Sequence, residues 1–270
     1  MIYIHWAFLA VYVVVIIVVV VRVLMANRQP DKTMAWMLVL TFIPMLGIIL
    51  YFFFGQTTRK ERKIWQYSMD QLTKHSMLEF VEHLPNEYRE LIKLFMNQNW
   101  VLPFKNNETE IYTSGYEFFP SLLTEIGKAE HHIHLDTFII ASDSLGQLVA
   151  DALIDKARQG VEVRVIYDDV GSWKTKNRFF DRMRAEGIEV FAFMPVRFPI
   201  FTSKVNYRNH RKICVIDGEV GFIGGMNIAN RYVKGIKKLA WRDTHVKITG
   251  AAVYGLQRAF LVDWFFVSRE

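Results

Sequence analysis

Residues 206–232 read "NYRNHRKICVIDGEVGFIGGMNIANRY". The runs "YRNHRKICVI" and "EVGFIGG" flank Asp217-Gly218, a dipeptide that favours the backbone of a tight β-hairpin turn, so two antiparallel strands are expected. Residues two apart on a strand share a face, which would project His210 and Lys212 together. Asp217 has the opposite parity and sits at the turn, where it is expected to support the hairpin. Gly224-Gly225 permits close backbone approach, and Asn227 follows them as a hydrogen-bond donor.

These residue types suit phosphate chemistry. A neutral imidazole is a competent nucleophile near neutral pH, and an adjacent lysine neutralises a phosphate oxygen before and during attack. Asn227 can donate to the same oxygens. His210, Lys212 and Asn227 would therefore handle a phosphodiester with no metal and no cofactor. On other proteins a lone His-x-Lys is an exposed polar pair; here it lies in His-x-Lys-x4-Asp-x6-Gly-Gly-x-Asn.

Working outward, strand and helix patterns alternate. "TEIYT" reads as a strand, followed by a helix with Phe119, Leu122, Leu123 and Ile126 on one face and Pro120 in its first turn. "HHIHLDTFII" is the next strand. Residues 144–158 carry Leu145, Leu148, Val149, Ala152 and Leu153 on a helical stripe that stops at Gly160. "VEVRVIYDD" and "IEVFAFM" are strands separated by the helix "KNRFFDRMRAEG". "WRDTHVKITG" and a helix from 251 to about 266 complete the chain. This series predicts an α/β domain, a mixed β-sheet flanked by helices.

The chain is 51% hydrophobic, but unevenly so. Residues 2–21 and 33–55 contain no Asp, Glu, Lys or Arg, and crossing a hydrocarbon core takes roughly 20 helical residues. A transmembrane hairpin over residues 1–56 is expected, then a helical connector over 57–108 and the catalytic domain over 109–270. A cleaved signal peptide fits less well, because no basic residue precedes the first run and no small-x-small site follows it. Arg22, Arg28 and Lys32 lie between the spans, while Arg59, Lys60, Arg62 and Lys63 follow the second. That bias places the catalytic portion in the cytoplasm. The 33 Lys and Arg against 27 Asp and Glu suit an anionic lipid surface, and by charge alone they suit nucleic acid equally. The single cysteine, Cys214, excludes an internal disulfide and reads as a small buried apolar residue.

The segments "NYRNHRKICVIDGEVGFIGGMNI" and "WRDTHVKITGAAVYGLQRAFLVDWF" resemble the phospholipase D superfamily and, within it, the N-terminal half of bacterial cardiolipin synthases. The span "AWMLVLTFIPMLGIILYFFFG" and the strand "HIHLDTFII" fit the same family. The resemblance implies a multi-pass protein of the bacterial cell membrane, active in phospholipid biosynthesis. In it His210 attacks phosphatidylglycerol, releases glycerol and forms a phosphatidyl-histidine, which a second phosphatidylglycerol converts to cardiolipin. It implies that Lys212 and Asn227 hold the phosphate oxygens and that Asp243 orients the imidazole. With Asp217 these are the candidate site residues.

Members of that family carry the His-x-Lys signature twice, and the second histidine serves as general acid and base. Here only His210 is followed by a lysine two residues on. The expectation is a half-site completed by a homodimer or by a C-terminal half, and little activity without one. The alternatives are a membrane-anchored phosphodiesterase or nuclease, which the paired spans disfavour, and an inactive half-enzyme. His131, His132 and His134 read as a polar strand edge rather than a metal site, and Asp168, Asp169 and Gly171 as a polar loop that could border the site.

Overall fold

The structure, a computed structural model, describes residues 6, 14, 16–21, 30–54, 90, 91, 94, 104–196, 208–235, 239 and 241–268. The expected connector at 57–108 and the expected first span at 2–21 fall largely outside the described residues. Two compact units result, the first holding α1 (Pro30–Phe42) and α2 (Pro44–Phe54), the second holding the sheet.

In the first unit the uncharged run 33–55 is divided at Ile43. Pro44 has no N–H, and its ring crowds the carbonyl one turn back, so a continuous helix is interrupted. Bonds from Ile43 N–H to the Val39 carbonyl (3.0 Å) and from Gly47 N–H to the Ile43 carbonyl (2.7 Å) bracket the break. The expected single span is thus two helices of 13 and 11 residues, and among the described residues no helix is long and apolar enough to cross a membrane. Leu40 and Tyr51 are buried against Val19, Val20, Trp36, Met37 and Ile48. Met34, Phe42 and Met45 are exposed despite their size and apolarity.

The second unit is built on one seven-stranded sheet among the described residues. Its strands are β1 (Glu108–Tyr112), β2 (His132–Thr137), β3 (Glu162–Asp168), β4 (Glu189–Phe193), β5 (Lys212–Ile216), β6 (Val220–Gly224) and β7 (His245–Thr249). They lie in the order β1-β7-β6-β5-β2-β3-β4. The helix-connected strands β2, β3 and β4 are mutually parallel, and the remaining neighbours pair antiparallel. The short turn between Ile216 and Val220 reverses β5 into β6, whereas the helical crossovers between β2, β3 and β4 keep those strands parallel.

Helices cover both faces. On one, α3 (Gly115–Lys128), α4 (Ser144–Arg158) and α5 (Asn177–Ala185) pack on the sheet through Phe119, Leu122, Val149, Leu153, Phe180 and Met183. On the other, α7 (Val253–Ser268) places Val253 against Ile213 and Val215, and Phe260 and Trp264 against Ile166. A short helix, α6 (Arg231–Lys234), follows the Gly-Gly loop.

Three local expectations change. The helix α3 starts at Gly115 under a Ser114 cap, so Pro120 lies in its interior rather than its first turn. On α4 the buried set is Leu145, Val149, Ala150, Leu153 and Ile154, with Leu148 exposed. The two contact lines 145-149-153 and 146-150-154 lie on adjacent i, i+4 ridges, and position 148 falls beside them. Finally, β5 begins at Lys212, which leaves His210 in the extended segment just before the strand.

Candidate active site

Sheet direction determines where the chemistry gathers. β2, β3 and β6 end, and β5 and β7 begin, at the same edge. Thr137 pairs with Lys212, and Gly224 with His245. Ile213 faces Ile223, so Gly224 is the cross-strand neighbour of Lys212. Thr137, Lys212, Gly224 and His245 thus form one row across four strands. Side chains in such a row share a face, and the missing side chain at Gly224 leaves room that His245 fills.

His210 is exposed at this edge, its ring 4.7 Å from that of Phe138. Lys212 is buried, with Nζ donating to the His210 carbonyl oxygen at 2.6 Å and lying 5.3 Å from the same Phe138 ring. The two residues do share a side, as the strand argument requires, although only one of them is in the strand. Partial burial and the neighbouring Lys212 charge lower the His210 pKa, while Asp168 and Asp243 oppose the shift. The imidazole is therefore largely neutral at pH 7 and able to attack. Burial also pulls the Lys212 ammonium down to about 8, against the support of Asp243 and Asp136.

The Gly-Gly pair serves a purpose other than the expected approach to phosphate. A methyl group at Gly225 would overlap the Asp243 carboxylate, and one at Gly224 would lie 2.7 Å from His245 Cγ. These glycines admit Asp243 and His245 to the edge. Asp243 Oδ1 accepts the Thr244 N–H at 2.8 Å, and it acts on His210 and Lys212 through charge.

Asn227 is buried. Its Oδ1 accepts the Ile139 N–H at 3.0 Å, and its Nδ2 donates to the Tyr232 hydroxyl at 2.6 Å. The amide has a second N–H hydrogen besides the one given to Tyr232. The loop is clamped again at Asn230, whose N–H donates to Asp143 Oδ2 and whose Oδ1 accepts from Ser144 Oγ and the Leu145 N–H. Asp217 stands apart from these residues, at the far end of β5, roughly 15 Å along the strand. Its carboxylate accepts the N–H groups of Glu130, His131 and His132, each at 2.8 Å. It pins the start of β2 and does not join the chemical group.

A buried polar cluster lies beneath the nucleophile and was absent from the sequence reading. Asn209 Nδ2 donates to Asp136 Oδ2 at 2.8 Å, to Asp136 Oδ1 at 3.1 Å and to Asp263 Oδ2 at 3.2 Å, while Arg211 donates to Asp263. Burial and the adjacent Asp263 carboxylate push the Asp136 pKa well up, and a hydrogen bond joins the two acids. Such a pair holds one proton between two carboxyls. The Asn209 N–H also donates to Asp168 Oδ2 at 3.2 Å, so Asp168 borders the site. The residues on both sides of His210 are thus held from the α7 face while His210 projects to the other. The signal in the sequence was a lone acid in each of two apolar contexts, "HLDTF" and "LVDWF".

Other candidates resolve as packing. Cys214 is buried, which pushes its thiol up to about 12. His132 and His134 both bond to Gln257, at 3.3 and 2.7 Å, and burial together with the His132 charge takes His134 down to about 4. His245 is stacked on Phe118 at 3.9 Å, and burial beside the Lys212 charge takes it to about 3. Two buried polar atoms in the Lys212 row, Thr137 Oγ1 and His245 Nδ1, have no hydrogen-bond partner among the described residues.

Residues 122–264 match the family described as "Cardiolipin synthase, PLD-like domain", and residues 11–56 match "Phospholipase_D-nuclease N-terminal". A cardiolipin synthase of Geobacillus kaustophilus is 41% identical over 254 residues, which is 90% of this chain and 50% of that protein. One of Oceanobacillus iheyensis is 39% identical over 262 residues, covering 92% and 54%. One of Listeria monocytogenes is 38% identical over 257 residues, covering 90% and 53%. The chain spans about half the length of these curated relatives.

Proposed function

We propose, from the premise that this chain belongs to the phospholipase D-like cardiolipin synthase family, that it supplies one half-site of a phosphatidyltransferase that joins two phosphatidylglycerols. The observation that carries the reading is the pairing of an exposed His210 with a buried Lys212 at one edge of the sheet.

The His210 ring nitrogen attacks phosphorus, the P–O bond to the headgroup glycerol breaks, and a phosphatidyl-histidine remains. In this reading Lys212 Nζ and the Asn227 side-chain amide support the phosphate oxygens. A proton must reach the departing glycerol, and one must leave the hydroxyl of the second phosphatidylglycerol when it takes the phosphatidyl group. Glycerol and cardiolipin are the products, and the second histidine moves both protons. It comes from another copy of this chain or from sequence outside these 270 residues. Asp243 stabilises the charged imidazole through its carboxylate.

The N-terminal part is the anchor of this reading, two spans in a bacterial cell membrane with the sheet domain on the cytoplasmic side. The large apolar side chains left exposed on α1 and α2 support it, since such faces are covered by lipid or by protein.

His210→Ala in cells lacking other cardiolipin synthases tests the assignment. Loss of cardiolipin is expected, and unchanged cardiolipin would overturn it. A parallel assay of phosphatidylglycerol against DNA distinguishes lipid transfer from nuclease action.

A further inference from the structure

The loops around His210 carry exposed tryptophan. Trp173, in the loop that follows β3, is 77% exposed, and Trp241, just before β7, is 45% exposed. Each has a cation over its ring: Lys174 Nζ lies 6.0 Å from the Trp173 ring, and the Arg231 guanidinium 5.9 Å from that of Trp241. Both loops leave the sheet at the edge that bears Lys212. The Trp173 loop is tied to the His210 side by Ser172 Oγ and Thr175 Oγ1, which bond the backbone of Ile140. Trp241 packs 6.0 Å from Tyr232, the hydroxyl partner of Asn227.

The charge of these loops has one dominant sign. Residues 169–178 hold Lys174, Lys176 and Arg178 against Asp169. Residues 231–243 hold five Lys and Arg against Asp243. Exposed tryptophan interleaved with cations has the composition of a surface that sits at the headgroup level of an anionic bilayer, where the ring is half immersed and the cations meet lipid phosphates. The substrate geometry requires the same placement. A phospholipid keeps its acyl chains in the bilayer, so its phosphorus stays near headgroup depth, and His210 reaches it only if the mouth of the site lies against that surface.

We propose that the rim formed by Trp173-Lys174 and Arg231-Trp241 is a docking surface for an anionic lipid bilayer, which it holds against His210. The proposal deepens the phosphatidyltransferase reading and rests on it for the identity of the substrate.

The test uses the full chain reconstituted in vesicles of phosphatidylcholine, with and without phosphatidylglycerol. Because the chain has seven tryptophans, Trp173 is read as the difference between wild-type and Trp173→Phe emission, with lipids brominated near the headgroup as quenchers. The expected difference spectrum is blue-shifted and quenched in vesicles containing phosphatidylglycerol, and less so without it. Water-like, unquenched emission in both would overturn the proposal, as would burial of Trp173 by added DNA or by a second copy in detergent. A second arm compares Trp173→Ser with wild type on phosphatidylglycerol in vesicles and on bis(4-nitrophenyl) phosphate in solution. A rise in KM of about tenfold for vesicles, with soluble hydrolysis unchanged, supports docking; equal loss of both assigns Trp173 a structural role and sinks it. Quenching without any lipid turnover, even when a second half-site is supplied, leaves the docking surface standing and removes the phosphatidyltransferase reading instead.

Discussion

Lys212 Nζ donates to the carbonyl oxygen of His210 at 2.6 Å. In the proposed reaction the cation that meets the phosphate starts from the backbone of the residue that attacks it, and only side-chain rotation is needed to move it from carbonyl to phosphate.

The pH profile of kcat/KM follows from these two groups. His210 must be neutral to attack, and its pKa is below the ordinary 6.5, through burial and the Lys212 charge. Lys212 must be charged, and its pKa is about 8. Activity is expected to rise through an acid limb below pH 6.5 and to fall through an alkaline limb near 8, because kcat/KM reports groups of the free enzyme. Lys212→Ala should lower kcat/KM by about 10²–10³-fold, the usual effect of removing one donor to a developing oxyanion. An alkaline limb unchanged in a residually active Lys212 variant would assign that limb to another group.

Asp243 supports the protonated forms of both His210 and Lys212. Asp243→Asn should therefore move both limbs of the profile to lower pH and reduce kcat/KM. Gly225→Ala, which forces the Asp243 carboxylate from its place, should act in the same direction. Limbs that stay fixed in both variants would show Asp243 to be an edge residue without influence on the site.

The acids Asp136 and Asp263 have raised pKa values in the fold, from burial in both cases and from mutual repulsion at Asp136. A raised carboxyl favours the folded state below the unfolded aspartate value, and that contribution is lost as pH rises through the folded value. Asp136→Asn should flatten this part of the stability–pH curve while leaving the fold intact. Asp263→Ala leaves Arg211 without its carboxylate and should cost about 2 kcal/mol, less than for a fully buried pair because Arg211 is only half-buried. Denaturation followed between pH 5 and 9 reads both effects.

Asp217 has the opposite sign. Burial opposes its ionisation, but three backbone N–H donors outweigh it and hold the carboxyl below the ordinary range. Its contribution is present above the unfolded aspartate pKa and is lost as pH falls through the lower folded value. Asp217→Ala strands three N–H groups and should cost about 1–3 kcal/mol. Kinetics at a temperature where the variant remains folded should show kcat/KM close to wild type, and a loss of 10²-fold or more would return Asp217 to the chemistry.

Periodicity made the α/β alternation legible in advance. Alternating apolar residues placed β2 and β3, i, i+4 stripes placed α3 and α4, and Asp217-Gly218 placed the turn between β5 and β6. Single positions were less secure. Leu148 lies one step off the buried ridges, and the capping pattern Ser114-x-x-Glu117 starts the helix early enough to put Pro120 in its interior. By local sequence the glycine pair offers room for phosphate, whereas in the fold Asp243, 18 residues beyond Gly225, and His245, 21 residues beyond Gly224, occupy that room.

Local spacing on its own placed His210 beside Lys212, because they stand two apart on one run; Asn227 is held by the Ile139 N–H, 88 residues away. Spacing could not determine what holds them there. The contacts of Asn209 with Asp136 and Asp263 join positions 73 and 54 residues apart, and that of Asp217 with Glu130 spans 87. Such pairs depend on strand order and on which face α7 covers, and no periodicity encodes strand order. Tertiary structure therefore decided which carboxylates serve the site, which one pins the far end of the sheet, and which tryptophans stand at its rim.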